Sequence, residues 1–481
     1  MAKKQKHEKT RPPKTQGSAS RRKKRKRMCL EDRPCLEPNA AGIDIGAREI
    51  YVAVPPDRDE HPVRVFQTFS EDLQAMAQWL KACGITTVAM ESTGVYWIPL
   101  YEVLESHRIK PCLTSARHMK NVPGRRTDWH ECQWLQYLHS VGLLRAAFRP
   151  DAEVCAVRAL LRQRKELVEM AGQHVQHMQK ALTQMNLQIQ QVISDITGTT
   201  GLAIVDAILK GERDPAVLAE LRDPRIQASA ETIQKSLVGA WQPEHLFVLR
   251  QSRLLFKTYQ QEIVKCDQEI ERLVGTFPAR VDPEQKPLPP DRKRHRNAKK
   301  KRKKQGLAET GFDLRTEAYK LFGVDVTQIP GLETSVLPLF SEVGRDLSAK
   351  WPTAGHFASW LGLCPDNDIS GGRVLWKGTR RVKNRAGQIF RIAAYSLHSP
   401  TPLGTYLRRL KSKLGPRAAT TATAHKIAVI FYTIVTKQVE YDESIWAQRD
   451  IQREKRLEDK IKRQAQQLGY KLVPVEKQPA A

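Results

Sequence analysis

The chain has no closely spaced cysteine pair. Its eight cysteines (Cys29, Cys35, Cys83, Cys112, Cys132, Cys155, Cys266 and Cys364) lie far apart with no CxxC among them, which excludes a zinc ribbon and a disulfide framework. They read as reduced thiols of a cytoplasmic protein. No apolar run approaches the roughly 18 residues of a membrane span, and the lysine-rich start lacks the apolar segment of a secretory signal. The expectation is a soluble, cytoplasmic, nucleoid-associated protein. Acidic residues are also scarce: 52 Asp and Glu stand against 80 Lys and Arg, a formal charge of +28. Such a surface fits a polyanion, with nucleic acid ahead of an acidic membrane.

What is present divides the 481 residues into segments. Residues 1–38 and 283–306 are basic, proline-containing and nearly free of apolar side chains, so neither repays the entropy of folding. Both are expected to be disordered: an arm and an insertion. Residues 39–150 alternate in a βββαβαβα order, from "AGIDIGAREIYVAV" through "TTVAMEST" to "TDWHECQWLQYLHSVGLL", which implies a mixed α/β sheet with helices on its faces. Residues 151–282 form a helical connector. There Leu161, Val168, Val175, Leu182 and Ile189 fall seven apart in a helix expected over 151–195, and Leu249, Phe256, Ile263 and Ile270 repeat the spacing in a second helix. That is a coiled-coil seam, serving either an antiparallel pair inside one chain or a pair between subunits. Residues 307–440 are mostly α-helical. They open with "VTQIPGLETSVLPLF", where Thr334 or Ser335 could cap a helix whose N–H groups face a phosphate. Residues 441–481 are a charged helix and tail.

Four carboxylates stand out in the first folded segment. Asp44 lies in a strand, opposite in direction to Ile43 and Ile45, and Glu91 ends a later strand. Asp128 and Glu131 are three apart on one helix face. Acids among apolar strand residues need a partner, and a hard divalent cation such as Mg²⁺ satisfies several at once. One or two ions per site would activate an attacking oxygen and stabilise a leaving one at a phosphodiester.

Near the other end, Ser370 follows the strand-like "LGLCPDNDI" and precedes Gly371 and Gly372, which let a backbone approach a phosphate. A Ser-Gly-Gly turn is the plain reading. The neighbourhood is not plain: Arg373, Lys377, Arg380, Arg381, Lys383 and Arg385 follow, and guanidinium groups grip phosphate oxygens. No local histidine could serve as base, so the hydroxyl would need a metal or carboxylate from elsewhere.

These motifs, with "MESTGVYW", "GRRTDWHECQWLQYLHSVGLLRAAFRP", "IPGLET", "WLGLCPDNDISGG" and "RRVKNRAGQIFRIAAYSL", resemble the DEDD-type insertion-sequence transposases, the bridge- or seek-RNA-guided serine recombinases, over residues 41–435. The resemblance implies an RNase H-like, RuvC-type domain, a coiled-coil connector and a C-terminal serine transposase domain. It puts the family's four acids, the Mg²⁺ ligands, on Asp44, Glu91, Asp128 and Glu131, and its nucleophile on Ser370. The fourth acid is usually aspartate, so Glu131 departs by one methylene. It further implies donor and target DNA and a non-coding guide RNA as partners, a phosphoserine intermediate, and assembly as a dimer or a dimer of dimers. The carboxylates alone would also suit a metal nuclease of the Holliday-junction-resolvase class. The charge alone would suit a non-catalytic nucleic-acid-binding protein.

Overall fold

The computed structural model describes residues 33–92, 94–114, 128–290, 310–380, 384–398 and 401–470, and of Asp128 and residues 445–451, 453 and 454 only the backbone. Most of the basic arm, most of the basic insertion, and Arg381 and Lys383 lie outside the described residues. The chain forms two compact units, divided between Arg149 and Pro150.

The first unit holds a five-stranded sheet in the order β3-β2-β1-β4-β5. Its strands are β1 (Ala40–Ile45), β2 (Glu49–Ala53), β3 (Val63–Gln67), β4 (Thr87–Glu91) and β5 (Lys110–Thr114). β1, β2 and β3 form an antiparallel meander, and β4 and β5 run parallel to β1. The mixed sheet and the βββαβαβα order follow the sequence reading and fit an RNase H-like arrangement. Alternation along the strands sends Ile43, Ile45, Val88 and Met90 to a face covered by α1 (Ser70–Ala82) and α2 (Trp97–Ser106), where they join Met76, Leu80, Leu100 and Leu104.

The opposite face carries α3 (Asp128–Ser140). Its close approach depends on Gly42, where an added Cβ would stand 2.2 Å from the Cys132 carbonyl and the Gln136 amide nitrogen. Gln136 Nε2 donates to the Ala40 carbonyl at 3.2 Å, and the His139 ring meets Thr87 Oγ1 at 2.9 Å. Burial holds the His139 pKa below the usual imidazole range. The C-terminal half of α3 therefore lies over the first residues of β1 and β4, and the helix runs antiparallel to both strands. Gly42→Val is predicted to cost about 3 kcal/mol or more, because the clash is with helix backbone that cannot yield. Thermal unfolding followed by circular dichroism checks this.

In the second unit two 33-residue helices, α4 (Ala152–Gln184) and α5 (Pro243–Gly275), pair antiparallel within the chain. The direction is fixed by Arg164 against Asp267, the Cys266 thiol on the Leu160 carbonyl, and His174 stacked on Tyr259. Met178, Leu182, Leu249, Phe256 and Ile263 share their core. Leu182, Leu249, Phe256 and Ile263 of the expected seam lie in this contact within the chain. The helix expected over 151–195 ends at Gln184, because Asn186 takes a left-handed conformation (φ 58°) and turns Leu187 and Ile189 into the same core from outside the helix.

The C-terminal part is built on an aromatic cluster. Phe322 of α6 (Leu314–Phe322), Phe340 of α7 (Val336–Val343), Phe357 of α8 (Ala354–Trp360) and Phe390 of α9 (Arg385–Tyr395) pack in a chain of ring contacts that meets Phe431. Phe431 belongs to α11 (Pro416–Lys437), to which α8, α9 and α10 (Pro402–Leu414) are packed. Among the described residues α11 is the one helix long and apolar enough to cross a membrane, which corrects the expectation that no such run exists. Its hydropathy comes from Ala, Ile and Val that serve this core: Ala419, Ala424, Ile427 and Ala428 are fully buried. Ser335 takes the cap position of α7, but no side chain closes that end, and Val336, Leu337, Leu339 and Phe340 are all buried. α7 is a core helix.

Candidate active site

In the first unit the strand register decides where the acids lie. Ile43 pairs with Met90 across parallel strands. Asp44 and Glu91 come one residue later, so they are neighbours at the C-terminal ends of β1 and β4. Alternation turns both toward the α3 face, the face of Gly42 and Ala89. Both side chains are partly exposed, as is Glu131. Because α3 runs antiparallel to β1, its first turn, with Asp128 at the start and Glu131 three residues on, belongs to this same end of the sheet. The Asp128 side chain lies outside the description, and among the described residues no group of three or more metal-ligating side chains is assembled.

Several other side chains lie beside the acids in sequence. Cys132 is buried, with its thiol on the Trp129 carbonyl, and Trp134 stacks on Tyr137. His130 is exposed. Trp97 packs edge-on against Tyr101 of its own helix, while Tyr96 is half exposed.

In the second unit the segment expected as one strand before Ser370 is different. Leu361–Leu363 close α8, and the strand β6 is only Asp368–Ser370. It pairs antiparallel with β7 (Arg373–Trp376), a strand the sequence reading missed. Between them Gly371 and Gly372 have φ of 56° and 76°, the left-handed values that both central residues of a type I′ hairpin turn need. The signal was there: Gly-Gly between Ile369 and the pair Val374 and Trp376 is a two-residue hairpin signature.

Ser370 is thus the last strand residue before the turn, and Arg373 is its cross-strand partner. Partners in register project to one face, so the two side chains leave the hairpin on the same side. Ser370, Gly371, Gly372, Arg373 and Lys377 are exposed, and the whole hairpin stands clear of the core. Its base is tied down. Pro365 bridges Thr379, the Asp366 amide donates to the Gly378 carbonyl at 2.8 Å, and the Gly378 amide donates to Asn367 Oδ1 at 3.2 Å. Arg380 donates to Ser359 Oγ at 2.7 Å, so this guanidinium is held at the root. Arg385 is exposed in the first turn of α9, whose cap Asn384 accepts from the Gly387 amide and donates to the Trp360 carbonyl. Asn367 and Asn384 are positioning residues that were not singled out in the sequence. Asn three residues ahead of a helical amide is the signal for the second.

No heavy atom lies within 4 Å of where a Cβ would stand on Gly372. A branched residue there meets only backbone strain, on the order of 1–2 kcal/mol. Gly372→Val is therefore predicted to lower the melting temperature of the chain by only a few degrees, about 2–8 °C.

Two family models match the chain. A transposase model of the DEDD type, IS110, matches residues 41–187, and the transposase model of the IS116/IS110/IS902 family matches residues 325–402. The first spans β1 to the end of α4, and the second includes the serine hairpin. No curated protein matches the chain. A DEDD-type transposase domain implies a DNA substrate and a divalent metal ion. The donor set fits one chemically: Asp44, Glu91 and Glu131 offer only carboxylate oxygens, the ligands hard divalent cations take, at one end of one sheet. With both models in chain order, one over the acids and one over the serine, the chain belongs to the DEDD-type insertion-sequence transposases and is a DNA transposase or recombinase.

Proposed function

We propose that the chain is an RNA-guided transposase that cuts and rejoins DNA through a covalent link to Ser370. The observation that carries this reading is the hairpin: an exposed serine at a Gly-Gly tip, with an arginine as its register partner and further cations behind it.

Ser370 Oγ attacks a DNA phosphorus. One P–O bond to serine forms as one P–O bond to deoxyribose breaks, and the serine proton is lost to water. The released deoxyribose oxygen takes a proton from solvent. Arg373, with Lys377, Arg380, Arg381, Lys383 and Arg385, holds the non-bridging oxygens and offsets the charge of the pentavalent phosphorus. Gly371 and Gly372 leave room for the DNA backbone. Asp44, Glu91, Asp128 and Glu131 would hold a Mg²⁺ ion, which when bound would supply positive charge to the developing charge of a phosphodiester under attack. Attack by the hydroxyl of the incoming strand on the phosphoserine reverses the first step, so bonds are exchanged without hydrolysis or ATP.

Glu131, one methylene longer than the usual aspartate, keeps the same donor atoms and serves as the fourth ligand. Sequence choice lies in base pairing between a guide RNA and both DNAs, which is consistent with a protein surface rich in backbone-gripping cations. The working assembly is a dimer or a dimer of dimers. The test is reconstitution: purified chain, Mg²⁺, donor and target duplexes, and the structured transcript from DNA flanking the coding region. Joined product that requires the transcript supports the proposal. Joining that proceeds equally without RNA removes the guide, and free cut ends with no joining point to a nuclease.

A further inference from the structure

Residues 369–439 contain fourteen lysines and arginines and no aspartate or glutamate. Only part of this excess belongs to the serine hairpin. A second group, Arg408, Arg409, Lys411, Lys413 and Arg417, lies past the residues matched by either family model. It sits on the corner between α10 and α11.

The corner is built to show these side chains. Leu403, Gly404 and Leu407 are the buried side of α10. Arg408, Lys413 and Arg417 are exposed, and Arg409 and Lys411 flank them half-buried. Gly415, at φ 77°, ends α10 and turns the chain directly into α11 at Pro416. Arg408 is steadied by donating to Thr405 Oγ1 at 3.0 Å, and Arg409 lies over the Tyr406 ring at 5.5 Å.

Stability explains part of the pattern but not all. Lys411 and Lys413 complement the dipole at the C-terminus of α10. Arg417 does the reverse: it is in the first turn of α11, where a cation opposes the dipole and no acid shares the turn to offset it. A cation kept where the fold disfavours it points to a ligand that is negative. Tyr406 is covered by Arg409 and half-buried, so α10 presents no open aromatic face on which an unpaired base could stack. That leaves phosphate contacts, which fix position without reading sequence.

We propose that the α10–α11 corner, through Arg408, Lys413 and Arg417, is a docking surface for the phosphate backbone of duplex DNA away from the reacting phosphodiester. It extends the grip of the serine hairpin without taking part in bond exchange.

The test uses the full chain and equilibrium binding across a salt series, with a labelled duplex of arbitrary sequence and a labelled RNA hairpin as separate probes. The variant carries Arg408→Gln, Lys413→Gln and Arg417→Gln. The control carries Lys180→Gln, Lys235→Gln and Lys257→Gln, which remove the same charge from exposed connector positions. For the duplex, the corner variant is expected to lose about tenfold in affinity, and the slope of log K against log salt should shrink by about 3. The control and the RNA probe should keep the parent slope. Arg417→Gln alone guards against misfolding: it should shrink the slope by about 1 without lowering the melting temperature. An unchanged duplex slope, an equal loss in the control, or an equal or larger loss for the RNA overturns the proposal.

Discussion

Ser370→Ala is expected to abolish protein-linked DNA and strand joining together, with a loss on the order of 10⁴-fold or more, as for other enzymes deprived of their nucleophile. The side chain is exposed, so little packing is lost with its oxygen. The substitution should leave the melting temperature and the affinity for duplex DNA at parent values. Denaturing gels of end-labelled DNA read the linkage, and joining is followed by amplification across the new junction. Ser370→Cys supplies the control. A sulfur at the same place can attack, but a slower adduct of different stability to base is expected.

Asp44→Asn is expected to have the second largest effect, at least about a hundredfold on the formation of linked DNA. The amide keeps the shape of the side chain and removes the negative charge that draws a divalent cation. Glu91→Gln should match it, because the two acids are neighbours at the ends of β1 and β4. Both variants should bind duplex DNA as tightly as the parent or more tightly, since each removes a negative charge facing a polyanion. A variant that loses linkage and DNA affinity in parallel would instead show that Asp44 supports the fold of the sheet.

The sequence made some of this legible for physical reasons. Near-neighbour patterns carried the first unit: period-two alternation around Asp44 and the Gly stop after α1 are local, and so the order of elements was readable. The pairing of β1 with β4 is not local. Some 45 residues separate Asp44 from Glu91 in the chain, and only the observed register makes them neighbours. The seven-residue spacing of Leu249, Phe256 and Ile263 announced a helix seam but not its partner. Antiparallel pairing became visible through Arg164 and Asp267, a pair 103 residues apart. The same spacing overran the end of α4, because periodicity carries through Ile189 while a single left-handed Asn186 breaks the helix. At Ser370 the apolar run Leu361–Leu363 imitated a strand when it was the end of α8. The true second strand, Arg373–Trp376, is only four residues long and is bounded by Arg373 at its start and Lys377 just past its end.

The most direct measurement is the chemistry of the trapped DNA link. Reaction of the chain with the flanking transcript proposed as its guide, Mg²⁺ and end-labelled DNA is stopped in denaturant, the protein is digested, and the DNA-bearing peptide is sequenced by mass spectrometry. The account predicts one phosphoester, on Ser370, absent from both Ser370→Ala and Asp44→Asn. A link on any other residue, or cleaved DNA with free ends and no attached peptide, would contradict it.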